Sequence, residues 1–575
     1  MQARQTLADI QHLLTTVLKA PTRWQGLAPF ADTDGDLAAQ VLDEAAKFVD
    51  SAIAPLQRSG DEEGCRFDGG QVHTPAGFRD AYQAFWQAGW PSLSCAPDDG
   101  GQGLPAVLEC VLFEWLAGAN HGWTMAPGLL HGAYECIKHH ASHALKAQYL
   151  EKVATGEWLA TMCLTEAHAG SDLGMVRTRA VEQPDGSARV NGSKIFISGG
   201  EHDLTDNIVH LVLARLPDAP AGPKGLSLFL VPKVLPDGSR NAVVCERIEE
   251  KMGLHGSPTC VMRFDDATGW LVGEPNKGLN AMFVMMNAAR LHVGLQGIGL
   301  LEAAWQKASA YAAERRQMRA PGAKDTSLIQ DHPAIRRILH TQRAWIDGGR
   351  VLAYHTALQL DVAKHSTDAG ERAAAQRWCA LVTPVLKAAL TDQAFHGASA
   401  CLQVFGGHGY VREWGIEQIV RDARVAMIYE GTNEIQAIDL LVRKVLADGG
   451  QGLGALLGSL PGAAPSAAAS ARRHALVEIT QTLAIAAQSD PELPYWVADD
   501  YLRAVALVLL EWAWAQIGAA RPHRADQSTG ATDRWTPPAQ AFAQWVLPEF
   551  DLRTTILRQR IAQAFEFRPQ EAASA

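Results

Sequence analysis

Thr165-Glu166-Ala167-His168-Ala169-Gly170-Ser171-Asp172 stands where the chain changes character. Upstream of it apolar residues recur at helical spacing, with Leu7, Ile10, Leu13, Leu14, Val17 and Leu18 on one face. Further amphipathic stretches cover 37–53, 77–88, 106–117 and 143–155. From Trp158 onward the runs shorten and become β-rich: 188–190, 194–198, 207–214, 226–231 and 260–264. Asp185-Gly186, Asn191-Gly192, Gly199-Gly200 and Pro236-Asp237-Gly238 part these runs, and the spacing predicts a small antiparallel sandwich or barrel. Taken alone the octapeptide is ordinary turn chemistry.

Helical periodicity returns after Pro275-Asn276-Lys277-Gly278. The proline-free stretch 279–318 predicts one long helix, and 334–363, 371–405 and 432–446 predict three more. Residues 448–470 are dense in Gly, Ala, Ser and Pro and read as a connection. Beyond it, 472–488, 494–519 and 539–567 form a final helical set. The expected division is a helical N-terminal domain (1–157), a central antiparallel β domain (158–273), a helical bundle (274–447), a linker (448–470) and an additional C-terminal helical domain (471–575). This is an α+β chain.

At 575 residues the chain has material for several cores. Its 62 acidic against 51 basic residues give a net charge of −11, a balance opposed to sequence-independent nucleic-acid binding. Nine scattered cysteines include no Cys-x-x-Cys, so neither a zinc site nor a disulfide framework is expected. The N-terminus lacks a basic segment followed by an apolar run, and the apolar stretch 504–520 is broken by Glu511. The expectation is a cytoplasmic protein with no membrane span.

Further motifs follow the octapeptide in order: Phe196-Ile197-Ser198, Arg315-Arg316-Gln317, Gln403-Val404-Phe405-Gly406-Gly407-His408-Gly409-Tyr410 and Tyr429-Glu430-Gly431-Thr432. Each alone is weak. Together, in this order and spacing from about residue 40 to 446, they resemble the acyl-CoA dehydrogenase family. The long N-terminal helix and the segment after 447 resemble a subgroup with an extra C-terminal helical domain.

The resemblance implies an acyl-CoA dehydrogenase-like fold with a C-terminal four-helix bundle, FAD as cofactor, and α,β-dehydrogenation of an acyl-CoA thioester to the trans-2-enoyl-CoA. Glu430 is then the base that removes the α-proton while flavin N5 accepts the β-hydride. Burial of such a carboxylate against flavin and acyl chain would raise its pKa towards working pH. Thr165, Gly170, Ser171, Phe196, Ser198 and Thr432 would line the flavin, with Phe196 replacing the family's usual Trp. Arg315, Gln317, Gln403, Gly406 and Gly407 would reach the FAD of a neighbouring subunit, which implies a homodimer. Ser257, Thr259 and Arg290 would line the substrate channel. Some relatives carry the base on the long helix, where this chain has Ala288 and Ala289. His408 and Glu166 are expected to be structural, and Thr432 or Asn433 to cap the next helix.

The subgroup resemblance implies 3-methylmercaptopropionyl-CoA or another short to medium acyl-CoA as substrate, and an electron-transfer flavoprotein as acceptor. An acyl-CoA oxidase using oxygen is the allied alternative. A flavin-containing DNA-associated stress-response protein is the alternative of another class; it predicts a basic C-terminal region, whereas residues 448–575 mix Arg503, Arg534 and Arg553 with Asp490, Glu492, Asp499, Asp500, Glu549 and Asp551.

Overall fold

The computed structural model describes residues 1–462, 464–520 and 533–566. The chain forms two compact units, one made of residues 41–292 with 2–4, the other of Met1, residues 5–40 and residues 293–575.

The first unit holds the β structure. A hairpin, β1 (Arg66–Asp68) with β2 (Gln71–His73), precedes seven further strands: β3 (Leu159–Cys163), β4 (Arg179–Glu182), β5 (Ala188–Ser198), β6 (Ile208–Arg215), β7 (Leu226–Pro232), β8 (Val243–Ile248) and β9 (Thr259–Val272). The pairings run β6-β4-β5-β9-β7 and return to β6, closing a barrel, with β3 added beside β6 and β8 beside β9. The antiparallel expectation is corrected in two places, since β3 runs parallel to β6 and β4 meets β6 in parallel at Arg179 and Arg215. Non-local parallel pairing of this kind leaves no short-range sequence signature. Phe229, Val231, Val212, Cys260, Met262 and Phe264 fill the centre.

Two other expectations change. Runs 188–190 and 194–198 are one strand, because Asn191-Gly192 forms a bulge rather than a turn. Gly192 has φ 151°, and a Cβ there would lie 2.4 Å from Thr178 Oγ1. The Asn191 side chain reaches across to Asp266, accepting from its N–H at 2.8 Å. Strand β8 was not expected, although it buries Val243 and Cys245 and exposes Val244 and Glu246 in alternation.

The second unit is helical. It contains the part of helix Gly278–Glu314 after His292, helices Pro333–His365 and Ala369–Val404, and the shorter Asn433–Ile438. The long helix stops four residues before the expected 318, because Arg316 bridges to Leu328 and Met318 adopts φ 57°. The 448–470 connection contains a helix, Gln451–Gly458, that buries Leu453, Leu456 and Leu457. Helices Ala467–Ala486, Leu493–Ala519, Thr536–Ala541 and Glu549–Glu566 complete the unit; the expected end at Phe567 lies outside the described residues.

Helix Leu493–Ala519 is long and apolar enough to cross a membrane, yet 72% of its most apolar stretch is buried. Its Trp514 Nε1 donates to Ala344 O at 3.1 Å, and its Trp512 packs with Trp378 around His355. The appended helices are thus part of the bundle core.

A buried charge network fastens the second unit. Asp347, fully buried, lies 2.8 Å from Arg343 and 2.6 Å from Arg534, and Arg534 also reaches Asp9 at 2.8 Å. Arg343 and Arg350 share Glu302 at 2.8 and 3.0 Å. Burial alone would raise the Asp347 carboxyl; Arg343 and Arg534 outweigh it and hold the group down at about 2. Removing one partner of a buried pair leaves charge uncompensated. Arg534→Met is therefore expected to cost about 3 kcal/mol in denaturant unfolding; an unchanged midpoint would contradict this account of how residues 5–40 and the appended helices are held.

Candidate active site

In the first unit the predicted residues gather at one end of β5. Ile195 N donates to Thr165 O at 2.9 Å, drawing the octapeptide against the strand. Gly170 is exposed, and a Cβ there would lie 3.8 Å from Thr165 Cγ2. Ser171 is exposed beside it, and Asp172 Oδ1 accepts from Gly174 N at 2.9 Å.

Phe196 occupies a register irregularity between Lys194 and Ile197 with φ 60°, and the residue is 60% exposed. A left-handed aromatic displayed to solvent is unfavourable twice over, in backbone and in hydration. Such strain persists only where the surroundings enforce it. Two residues on, Ser198 pairs with Thr259 across the sheet, and Gly199 N donates to Pro258 O at 2.9 Å. Ser257 is buried, with its carbonyl accepting from Lys251 Nζ at 2.9 Å. Arg290 is set apart on the long helix, 7% exposed, with Nη1 3.4 Å from Asn287 Oδ1. Ala289 occupies the same turn.

What holds this end together is a buried pair. Lys194, fully buried, donates to Glu166 Oε1 at 2.9 Å and to Leu164 O at 3.0 Å. Glu166 also accepts from Arg177 N, Thr178 N and Thr178 Oγ1 at 2.8, 3.0 and 2.6 Å. Burial would raise the Glu166 carboxyl, but Lys194, Thr178 and the Arg177 amide together hold it down at about 2.

In the second unit the predicted residues form two groups. Arg315 and Gln317, just past the long helix, are exposed, as are Gln403, Gly406 and Gly407 at the end of helix Ala369–Val404. Tyr311 stacks on Phe405 at 4.3 Å and brings the two stretches together. His408 is bonded to Tyr311 OH at 3.0 Å and stacked on Trp414 at 4.6 Å, which is a packing role. Gly406 has φ 58°, and a Cβ on Gly406 or Gly407 would meet nothing within 4 Å, leaving room for a ligand to approach the backbone.

The other group surrounds Glu430, which has φ 55° and is followed by Gly431 with φ 86°. Tyr429 OH donates to Gln296 Oε1 at 2.6 Å, and Gln436 Nε2 to Glu430 O at 2.9 Å. Burial, then the Glu430 and Asp422 carboxylates, push the Tyr429 phenol up, so it stays a donor. Thr432 caps helix Asn433–Ile438 by accepting from Ile435 N at 3.3 Å.

The chain matches the acyl-CoA dehydrogenase N-terminal domain over residues 36–157, the middle domain over 161–267 and the C-terminal domain over 276–445. The chain belongs to the acyl-CoA dehydrogenase family. It is similar to 3-methylmercaptopropionyl-CoA dehydrogenase of Ruegeria pomeroyi, with 46% identity over 434 residues, 74% of each chain. The structure of an acyl-CoA dehydrogenase complexed with FAD from Bacillus anthracis shares the fold at TM-score 0.73 and 21% identity, over 92% of this chain and 91% of that one. The electron transferring flavoprotein structure of Acidaminococcus fermentans matches at TM-score 0.58 and 25% identity, over 70% of this chain and 96% of that one.

The chain is an FAD-dependent oxidoreductase acting on acyl-CoA thioesters. Features of a kind that such a cofactor can use are displayed in each unit by itself: in the first an exposed aromatic at Phe196 with hydroxyls at Thr165 and Ser198, in the second the open backbone at Gly406-Gly407. Sequence reasoning passed over Gln296, Lys387, Gln436 and Lys194. The signal for Lys387 was the polar i, i+4 row Thr383, Lys387, Thr391 inside the otherwise apolar run 378–391.

Glu166→Gln leaves Lys194 buried without its carboxylate and is expected to cost about 3–5 kcal/mol at neutral pH. A carboxyl held below its ordinary value near 4.5 stabilises the fold above that value and loses the contribution as pH falls towards about 2. Thermal melts of wild type and Glu166→Gln are therefore expected to converge over that window; a gap that stays constant would contradict it.

Proposed function

We propose that this chain dehydrogenates the α,β-carbons of an acyl-CoA to the trans-2-enoyl-CoA, with Glu430 as the base. The observation that carries the reading is the backbone at Tyr429-Glu430-Gly431, where two successive left-handed residues are pinned from both sides. That arrangement spends conformational strain to display one partly buried carboxylate. FAD, when bound, supplies the acceptor for the β-hydride. The protein's part is to orient the thioester, keep water away from its α-carbon, and take the α-proton onto the Glu430 carboxylate. Ala288 and Ala289 offer no competing base on the long helix.

Thr165, Gly170, Ser171, Phe196 and Ser198 hold the flavin in this reading, with Thr432 fixing the helix end next to the base. Ser257, Thr259 and Arg290 line the thioester path. Arg315, Gln317, Gln403, Gly406 and Gly407 serve the cofactor of a second subunit in a homodimer. In support, Gln403 lies 16 residues beyond Lys387, the residue bonded to the Glu430 loop, or about 24 Å along the same helix. Along the helix, then, Gln403 stands well away from the residue that holds the Glu430 loop. Nine free cysteines suit a reducing cytoplasm.

The substrate in this reading is 3-methylmercaptopropionyl-CoA or another short to medium acyl-CoA, after the Ruegeria pomeroyi relative, and the acceptor is an electron-transfer flavoprotein. Anaerobic bleaching of the flavin across a panel of acyl-CoA thioesters is expected to be fastest with a short acyl group and to persist when air is admitted. Rapid reoxidation with peroxide formation would instead make the enzyme an oxidase, and no bleaching by any thioester would overturn the reading.

A further inference from the structure

Lys387 sits in the middle of helix Ala369–Val404 with none of its surface exposed. Its ammonium donates to Gly431 O at 2.7 Å and to Asn433 Oδ1 at 3.0 Å. Asn433 is itself oriented, accepting from Thr391 Oγ1 at 3.2 Å and donating to Ala388 O at 3.2 Å. Taking an ammonium out of water costs several kcal/mol unless its hydrogen bonds are well made. A methionine of similar shape would fill the same space without that cost. The lysine therefore contributes something that packing alone does not.

Its bonds fall next to the strained residue. Gln436 holds the carbonyl of Glu430, and Lys387 holds the carbonyl of Gly431. The two peptide planes that flank Gly431 are thus fixed in succession, one by a neutral amide and one by a buried cation. With Tyr429 anchored to Gln296 on the other side, the backbone of Glu430 is held from both ends. A charge-assisted bond is about twice as strong as a neutral one, so Lys387 is the stronger of the two carbonyl ties.

We propose that Lys387 is a positioning residue for α-proton abstraction: its buried ammonium, bonded to Gly431 O and Asn433 Oδ1, holds Glu430 in the left-handed conformation that presents the carboxylate. The proposal rests on the reading of Glu430 as base. Without the tie the Glu430-Gly431 backbone relaxes towards right-handed conformations, and the carboxylate leaves the path of the α-proton while FAD and thioester still bind.

The test uses FAD-loaded enzyme carrying Lys387→Met or Lys387→Gln, mixed anaerobically with a thioester that bleaches wild type, protiated or deuterated at the α-carbon. Both variants are expected to keep FAD and an unchanged KM. Flavin reduction is expected to slow about 100-fold in Lys387→Met, the scale of a small misplacement of a reacting group. The α-deuterium isotope effect is expected to rise. Lys387→Gln, whose amide can still donate to Gly431 O, is expected to recover part of the rate.

A purely structural role predicts a different pattern, with lost FAD or raised KM and an unchanged isotope effect in whichever variant still binds cofactor; that result overturns the proposal. If Lys387→Met does not hold FAD, Lys387→Gln decides by the same criteria. Glu430→Gln, run in parallel, separates the two readings. Bleaching of Glu430→Gln at the wild-type rate removes the base assignment and the proposal with it. An inert Glu430→Gln beside fully active Lys387 variants removes the positioning role alone.

Discussion

Two successive left-handed residues, Glu430 and Gly431, are the constraint around which the helical unit is organised. For a residue with a side chain this conformation costs about 1–2 kcal/mol, and it persists only when the surroundings over-determine it. The ties come from two long helices that lie unusually close. A Cβ at Gly297 would sit 2.8 Å from Leu390 O, and one at Gly294 would sit 3.4 Å from Leu386 O. Those glycines flank Gln296, which anchors Tyr429, and those leucines flank Lys387, which anchors Gly431. The helix contact and the displayed carboxylate thus depend on the same few residues.

The β unit uses the same device. Phe196 is left-handed and exposed, and the turn from Thr165 to Asp172 is held near it by a buried lysine, Lys194, bonded to Glu166. In both units a fully desolvated ammonium fixes main chain beside a strained residue that carries the candidate chemistry. Buried ion pairs and buried cations add little net stability, so their value here lies in fixing one conformation. Glu166, whose two oxygens accept three bonds besides the one from Lys194, is occupied by that task and unsuited to titrate during turnover.

Much of this was legible in the sequence, and the limits have physical causes. The order of helical, β and helical segments follows from periodicity, a local property. So does the cap at Thr432, where a hydroxyl precedes a helix by one residue. Asn191-Gly192 was misread because the pair has the same composition in a hairpin turn and in a bulge; the choice is made by Asp266, distant in sequence. The glycines of 448–470 read as a linker, yet Leu453, Leu456 and Leu457 supply enough apolar surface to pack a short helix. Lys387 was missed because a lysine on a helix is ordinarily solvated. Its burial is decided by Asn433 and Gly431, more than forty positions away, within a helix contact that glycines on a third segment permit.

The central claim is that Glu430 takes the α-proton, and the most direct measurement isolates that step from the redox half. A thioester whose β-carbon carries no hydrogen, such as 3,3-dimethylbutanoyl-CoA, cannot lose a hydride but can exchange its α-protons. Incubated in heavy water with FAD-loaded enzyme and followed by mass spectrometry, it is predicted to gain α-deuterium with wild type and none above the enzyme-free background with Glu430→Gln. Exchange by Glu430→Gln at the wild-type rate would contradict the account.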